Sequence, residues 1–179
     1  MTILFADVKG SMALSRLVEL EDWWLVIAGV LEELCEGVSL FGGWVGGCTG
    51  DGIMAVFESR ARTDDHAERA CEAALWLRDA MRQRAEVLGG ELGLGLAVRI
   101  GVNSGEVLTG TIGRRHGSYY TAAGYAVALA KRIEALATPG RVCISEHTAR
   151  LVSRTAQLHD LGAFDVKGAP SKVRIFELT

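Results

Sequence analysis

The chain predicts an α+β fold, a ferredoxin-like split βαβ sandwich with an α/β extension at its C-terminal end. Three observations support that class. Apolar runs of strand length alternate with long helical periodicities in the order strand–helix–strand–strand–helix–strand. The turns between them are short, with 22 glycines and only two prolines, and none is long enough to be a linker. The 179 residues, 49% of them hydrophobic, suit one domain with an ample core, since domains typically run to roughly 100–200 residues. Residues 1–179 are therefore expected to form a single domain, with helices over one sheet face. The sequence starts almost on its first strand and stops just after its last, which suggests a piece excised from a longer protein.

Residues 2–6 form an apolar strand that ends abruptly at Asp7. Val8, Lys9, Gly10 and Ser11 make a tight turn, and Ser11 caps helical material running to about Ser39. Leu25, Ile27, Val30, Leu31 and Leu34 give that helix its apolar face, with Trp23 and Trp24 as packing residues. Gly42 and Gly43 break it. Residues 44–49 and 52–57 read as two strands joined by a tight turn at Gly50 and Asp51.

Asp65 and Glu68 have capping-box spacing and open a second helix. Its buried stripe is Ala67, Ala70, Ala74, Leu77, Met81, Ala85 and Leu88. Residues 96–102 alternate, with Val98, Ile100 and Val102 on one face and Arg99 on the other. Residues 107–112 form a further strand, expected to pair with it as a hairpin across Ser104 and Gly105. A polar loop at 114–118 precedes a helix over 125–136, stopped by Thr138, Pro139 and Gly140. A short strand (141–145), a short helix (147–152) and two closing strands (157–166 and 172–178) complete the chain.

Composition removes several function classes. A net charge of -3 offers no basic field to nucleic acid or an anionic membrane. A ferredoxin-like RNA-binding module would also need an exposed aromatic strand pattern that is missing here. The longest apolar stretches fall short of the roughly 20 residues a membrane span needs, so no membrane contact is expected within this segment. The N-terminal apolar run is only Ile3, Leu4, Phe5 and Ala6, too short for a signal peptide. Cys35, Cys48, Cys71 and Cys143 have no CxxC or zinc spacing and read as small buried residues in a reducing, cytoplasmic compartment.

Two aspartates stand out by position. Asp7 ends the first strand and Asp51 sits in the turn of the next hairpin, and a split βαβ sheet places those elements side by side. Mg²⁺ prefers one or two carboxylates plus substrate phosphates to an all-protein cage. Two such ions about 3.5–4 Å apart serve both the attacking and the leaving oxygen in phosphoryl transfer. Glycines at 10, 50 and 52 let backbone amides approach phosphate. Turn aspartates also cap turns, so these features alone leave the metal reading open.

The segments Ile3-Leu4-Phe5-Ala6-Asp7-Val8-Lys9-Gly10-Ser11 and Thr49-Gly50-Asp51-Gly52-Ile53-Met54-Ala55-Val56-Phe57 resemble the two metal-binding signatures of class III adenylate/guanylate cyclases. Residues 98–107 are similar to that family's central hairpin. Residues 120–136, the Thr138-Pro139-Gly140 stop and Asp165-Val166-Lys167-Gly168 agree in order and spacing. The resemblance implies a nucleotidyl cyclase working as a head-to-tail homodimer whose sites draw on both subunits. It implies that Asp7 and Asp51, assisted by the Val8 carbonyl, hold two Mg²⁺ or Mn²⁺ ions. The Gly10, Ser11 and Met12 amides and Arg99 face the triphosphate. From the partner, Lys167 neutralises terminal phosphates and Arg132 stabilises the transferring phosphoryl group. Tyr125, Ala128 and Arg132 share one helix face, and Lys131 is expected to point elsewhere.

Three positions depart from the pattern of the best-known adenylate cyclases. The base-selecting lysine aligns with Gly47, the second base-selecting residue with Thr121, and the ribose-orienting asparagine with Ala128. Threonine at 121 marks a bacterial subgroup. Each lost hydrogen bond costs roughly 1–3 kcal/mol where a bound group is left unsatisfied. The expected activity is conversion of ATP to cyclic AMP, with slow turnover. The alternatives are a degenerate homologue that binds nucleotide or heterodimerises, or a cyclase for GTP or another base. Regulatory domains would lie outside this segment.

Overall fold

The computed structural model describes residues 1–60, 63–92, 95–113 and 119–179. The polar loop expected at 114–118 lies outside them. Strand β1 (Thr2–Val8) is followed by a short helix α1 (Ser11–Leu14) and a long one, α2 (Leu20–Leu40). Strands β2 (Trp44–Cys48) and β3 (Gly52–Phe57) lead to α3 (His66–Leu92) and β4 (Val98–Ser104). Then come β5 (Leu108–Ile112), β6 (Tyr119–Ala123), α4 (Tyr125–Leu136), β7 (Val142–Ser145), α5 (Glu146–Val152), β8 (Leu158–Phe164) and β9 (Val173–Leu178).

One seven-stranded sheet runs β2-β3-β1-β4-β7-β9-β8, and β5 with β6 forms a separate pair. The β2-β3-β1-β4 portion is the split βαβ arrangement, with β1 antiparallel to both β3 and β4. Strand β7 joins β4 in parallel, and β9 and β8 extend the sheet beyond it. This is the α+β class, with its C-terminal extension, that the element order predicts.

The sheet is covered on both faces rather than one. On one side Leu4, Ala6, Ile53, Ala55 and Phe57 pack against Val30 and Leu34 of α2 and Ala70, Leu77 and Met81 of α3. On the other, Ile3, Phe5, Met54 and Val56 pack against Ala130 of α4 and Ala122 of β6. The sequence carried this signal, because β1 and β3 are continuous apolar runs, the pattern of strands buried on both faces. Each fully buried Leu or Ile contributes roughly 1.5–3 kcal/mol relative to exposure.

Three local expectations are corrected. The helix beginning at Ser11 stops at Leu14 and restarts at Leu20, with the Ser15 hydroxyl donating to the Met12 carbonyl at 3.0 Å. Such local bonds compete with helix continuation. In α2 the buried stripe uses Val26 beside Ile27, while Leu25 and Trp24 are exposed. Strand β5 pairs with β6, not β4. Both edges of β4 are already taken, by β1 on one side and β7 on the other, so a hairpin partner has no place there.

Cys71 and Cys143 are buried as expected, and burial pushes their thiols up to about 12 and about 11. Cys35 is half-buried, whereas Cys48 is exposed on the edge strand β2. Among the described residues no helix is long and apolar enough to cross a membrane.

Candidate active site

Asp7 is the penultimate residue of β1 and lies opposite Gly52 of β3 and Arg99 of β4. Asp51 immediately precedes Gly52, and its carbonyl accepts from the Val8 amide at 3.1 Å. The strand end and the hairpin turn are therefore stitched together by the backbone. This pairing brings the two aspartates to one end of neighbouring strands, as the sequence predicts. The Ser11 hydroxyl donates to Asp51 Oδ2.

The β1–α1 turn pivots on Gly10, whose φ of 71° is in the left-handed region that favours glycine. The Gly10 carbonyl accepts from the Ala13 and Leu14 amides, closing the first turn of α1. The amides of Gly10, Ser11 and Met12 have no backbone acceptor among the described residues. First-turn amides of this kind are open to an oxyanion.

A charge cluster flanks Asp7. Arg99 Nη2 donates to Asp7 Oδ2 at 3.0 Å and lies 2.9 Å from Glu134 Oε1. Lys131 Nζ lies 2.8 Å from Glu134 Oε2, 3.6 Å from Asp7 Oδ1 and 5.5 Å from the centre of the Phe5 ring. Glu134 is wholly buried, yet neither carboxylate oxygen has an aligned hydrogen bond. Its short contacts to Arg99 and Lys131 are therefore charge contacts rather than directed bonds. Lys131 points away from the face of Tyr125, Ala128 and Arg132, as the helix spacing predicts, and its target is Asp7. Glu134 was missed, although it falls four residues after Ala130 on the stripe that α4 buries.

Gly47 and Thr121 meet at a separate cleft of about 660 Å³, lined also by Phe5, Met54 and Tyr120. The Thr121 hydroxyl donates to the Gly46 carbonyl at 2.7 Å, tying β6 to the bulge in β2. A Cβ on Gly47 would meet nothing within 4 Å, so the cleft is open where a lysine would project. Ala128 and Arg132 are exposed on α4, and Lys167 is exposed in the β8–β9 connection. Among the described residues none of these cations forms an ion pair within the chain. Within the chain the structure thus gathers Asp7, Val8, Asp51, Gly10, Ser11, Met12 and Arg99 at one edge. Gly47 and Thr121 form a second group.

Two carboxylates and a strand-end carbonyl are too few for a protein-only metal cage. Among the described residues no group of three or more His, Cys, Asp or Glu side chains is placed to hold a metal. The donor set does suit a hard divalent ion that arrives with phosphate oxygens, which needs only one or two carboxylates from the protein.

The sequence profile of the family described as Adenylate and Guanylate cyclase catalytic domain matches residues 1–179. An adenylate cyclase of Anabaena cylindrica is 29% identical over 188 aligned residues, taking in 99% of this chain and 36% of that protein. The adenylyl cyclase CyaB from P. aeruginosa superposes with a TM-score of 0.86 at 28% identity, covering 99% of this chain and 92% of that one. A crystallised guanylyl cyclase superposes with a TM-score of 0.87 at 29% identity, over 99% of this chain and 90% of its own. The chain spans only 17% to 36% of the longer relatives that it matches over nearly its whole length.

Proposed function

We propose, since the chain belongs to the adenylate and guanylate cyclase catalytic domain family, that it converts ATP to 3′,5′-cyclic AMP and pyrophosphate. The site would be shared by two subunits of a head-to-tail homodimer. The observation that carries this reading is the convergence of Asp7 and Asp51 beside a turn with unspent amides.

Asp7 and Asp51, with the Val8 carbonyl, would hold two Mg²⁺ or Mn²⁺ ions, which supply charge neutralisation and acidify the ribose 3′-hydroxyl. The Gly10, Ser11 and Met12 amides and the Arg99 guanidinium hold the triphosphate extended along the strand ends. The 3′-oxygen loses its proton to solvent and bonds to the α-phosphorus. The bond from that phosphorus to the bridging oxygen breaks, and pyrophosphate leaves. Arg132 and Lys167 of the second subunit offset the charge that builds on the transferring group and the leaving phosphates. Positioning and fixed charge do nearly all of the catalysis.

Helix geometry supports a shared site. Lys131 turns onto Asp7 of its own chain, and the next residue along a helix points about 100° away. Arg132 therefore cannot face the same carboxylate, and its exposed guanidinium is available to a neighbour. The Thr121 contact supports adenine. Its proton is committed to the Gly46 carbonyl, so the hydroxyl oxygen offers acceptor lone pairs alone. These suit the adenine 6-amino group and not the guanine 6-oxo group.

Gly47 and Ala128 favour a second reading, a homologue that binds nucleotide or heterodimerises with little turnover. Neither supplies the side-chain hydrogen bond expected at its position. The free cysteines and a nucleoside triphosphate substrate suit the cytoplasm. The longer relatives suggest regulatory segments beside this domain.

Complementation tests the shared site. An Asp51→Asn variant and an Arg132→Ala variant are each inactive alone in this account, and mixed dimers regain one intact site and measurable product. Verified mixed dimers that make no product would contradict it.

A further inference from the structure

Both carboxylate oxygens of Asp7 are already faced by cations of the same chain. Arg99 holds Oδ2 at 3.0 Å, and Lys131 stands 3.6 Å from Oδ1. We propose that Lys131 is a resident counter-cation. It guards Asp7 against a divalent ion arriving alone, and it transfers to the triphosphate when metal and nucleotide arrive together. This rests on the reading of Asp7 and Asp51 as the metal carboxylates.

Three observations single out Lys131 over Arg99 as the group that moves. Its contact with Asp7 is the longer, and its side chain is 41% exposed against 20% for Arg99. It hangs from a flexible four-carbon stem, while the planar guanidinium of Arg99 is wedged between Asp7 and Glu134. It also has an alternative anchor, because Glu134 Oε2 lies 2.8 Å away and Phe5 presents its ring face at 5.5 Å. Glu134 accounts for the lysine's position. A fully buried carboxylate without an aligned hydrogen bond needs compensating charge, and among the described residues Arg99 and Lys131 alone supply it.

The charge balance gives the device its direction. Asp7, Asp51 and Glu134 set three negative charges against the two positive charges of Arg99 and Lys131, which leaves one negative charge. Without Lys131 the site carries two. A bare divalent ion therefore finds a weaker attraction and an occupied oxygen in the native chain. A nucleotide–metal complex brings phosphate oxygens that accept the lysine as it leaves Asp7, so the displacement is compensated. Metal and nucleotide then raise each other's affinity by equal factors, as linkage requires.

Mn²⁺ uptake measured by electron paramagnetic resonance tests this, with and without a non-cyclisable ATP analogue. Without nucleotide, Lys131→Met should take up Mn²⁺ about tenfold more tightly than the native chain, a gain that loss of structure cannot produce. With the analogue present, the same variant should show a smaller mutual enhancement between metal and nucleotide. Lys131→Gln repeats the comparison if the Met variant folds poorly. Equal Mn²⁺ affinities in native and variant chains, or no uptake by either, overturn the role given to Lys131. Adding Asp7→Asn separates the two levels of the argument. Uptake that survives Asp7→Asn contradicts the metal site itself, whereas uptake that needs Asp7 and ignores Lys131 contradicts only the counter-cation.

Discussion

A Cβ placed on Gly101 of β4 would overlap the backbone nitrogen of Glu134 in α4 and lie 2.5 Å from its Cα. The two main chains are in direct contact there. That contact sets the depth at which Glu134 enters the site, and with it the position of Arg99 two residues back along β4. Gly101→Ala should therefore cost about 3 kcal/mol or more, since overpacking against backbone has no flexible side chain to absorb it. Urea denaturation reads the loss. A change below about 0.5 kcal/mol would mean that the helix slides freely on the sheet.

Glu134→Gln removes the buried charge that both Arg99 and Lys131 face. Because the cations keep some solvent access, the expected loss of stability is about 1–3 kcal/mol, less than for a fully sequestered pair. Glu134→Gln combined with Lys131→Gln should lose clearly less than the sum of the two single changes. A double-mutant cycle by chemical denaturation measures that difference, and strict additivity would argue that the two side chains ignore each other.

Gly47→Lys adds a side chain where the structure has open space. Stability should change by less than about 0.5 kcal/mol, as for an unhindered surface position. If the cleft receives the base, kcat/KM for ATP should rise by about tenfold, the worth of one well-made hydrogen bond. Unchanged selectivity among the four nucleoside triphosphates would place the base elsewhere.

His66 is buried at the start of α3, with Nδ1 2.7 Å from the Thr2 hydroxyl and Nε2 3.3 Å from Asp64. Burial chiefly, and the N-terminal ammonium next, hold its imidazole below the ordinary value, against an upward pull from Asp64. The unfolded chain therefore binds the proton more readily. Stability should be level above about pH 6.5 and decline as pH falls through the window below it. His66→Asn should flatten that part of the profile in urea midpoints taken from pH 5 to 8.

Much of this was legible in the sequence, and the gaps have physical causes. Apart from the break between α1 and α2 and the strand β6, neither of which the sequence disclosed, the order of strands and helices, the ends of α4 and the meeting of Asp7 with Asp51 follow from periodicity and split βαβ topology. The pairing of β5 with β6 was hidden because adjacency in sequence favours a β4–β5 hairpin, and the saturation of both β4 edges appears only once β7 is placed. That Lys131 faces away from Arg132 was legible, but its target Asp7 was not, because helix spacing gives relative directions and no absolute rotation. The contact at Gly101 fixes that rotation. Glu134 was the recoverable miss, since a carboxylate on a stripe of buried alanines implies a buried cation beside it.

The pairing of Gly52 with Asp7 leaves no room for a side chain, because a Cβ there would overlap the Ala6 carbonyl and lie 2.9 Å from Asp7 Cα. Gly52→Ala should thus shift Asp51 relative to Asp7 and lower activity by at least tenfold while the fold persists. Circular dichroism beside the product assay separates the two effects, and full activity in a folded variant would show that the spacing of the aspartates is not critical.

The most direct measurement incubates the chain with Mn²⁺ and each of the four nucleoside triphosphates and identifies the products by mass. The expected products are 3′,5′-cyclic AMP and pyrophosphate from ATP, in amounts that fall to background in both Asp7→Asn and Asp51→Asn. Cyclic product that persists at the native rate in either variant would contradict this expectation.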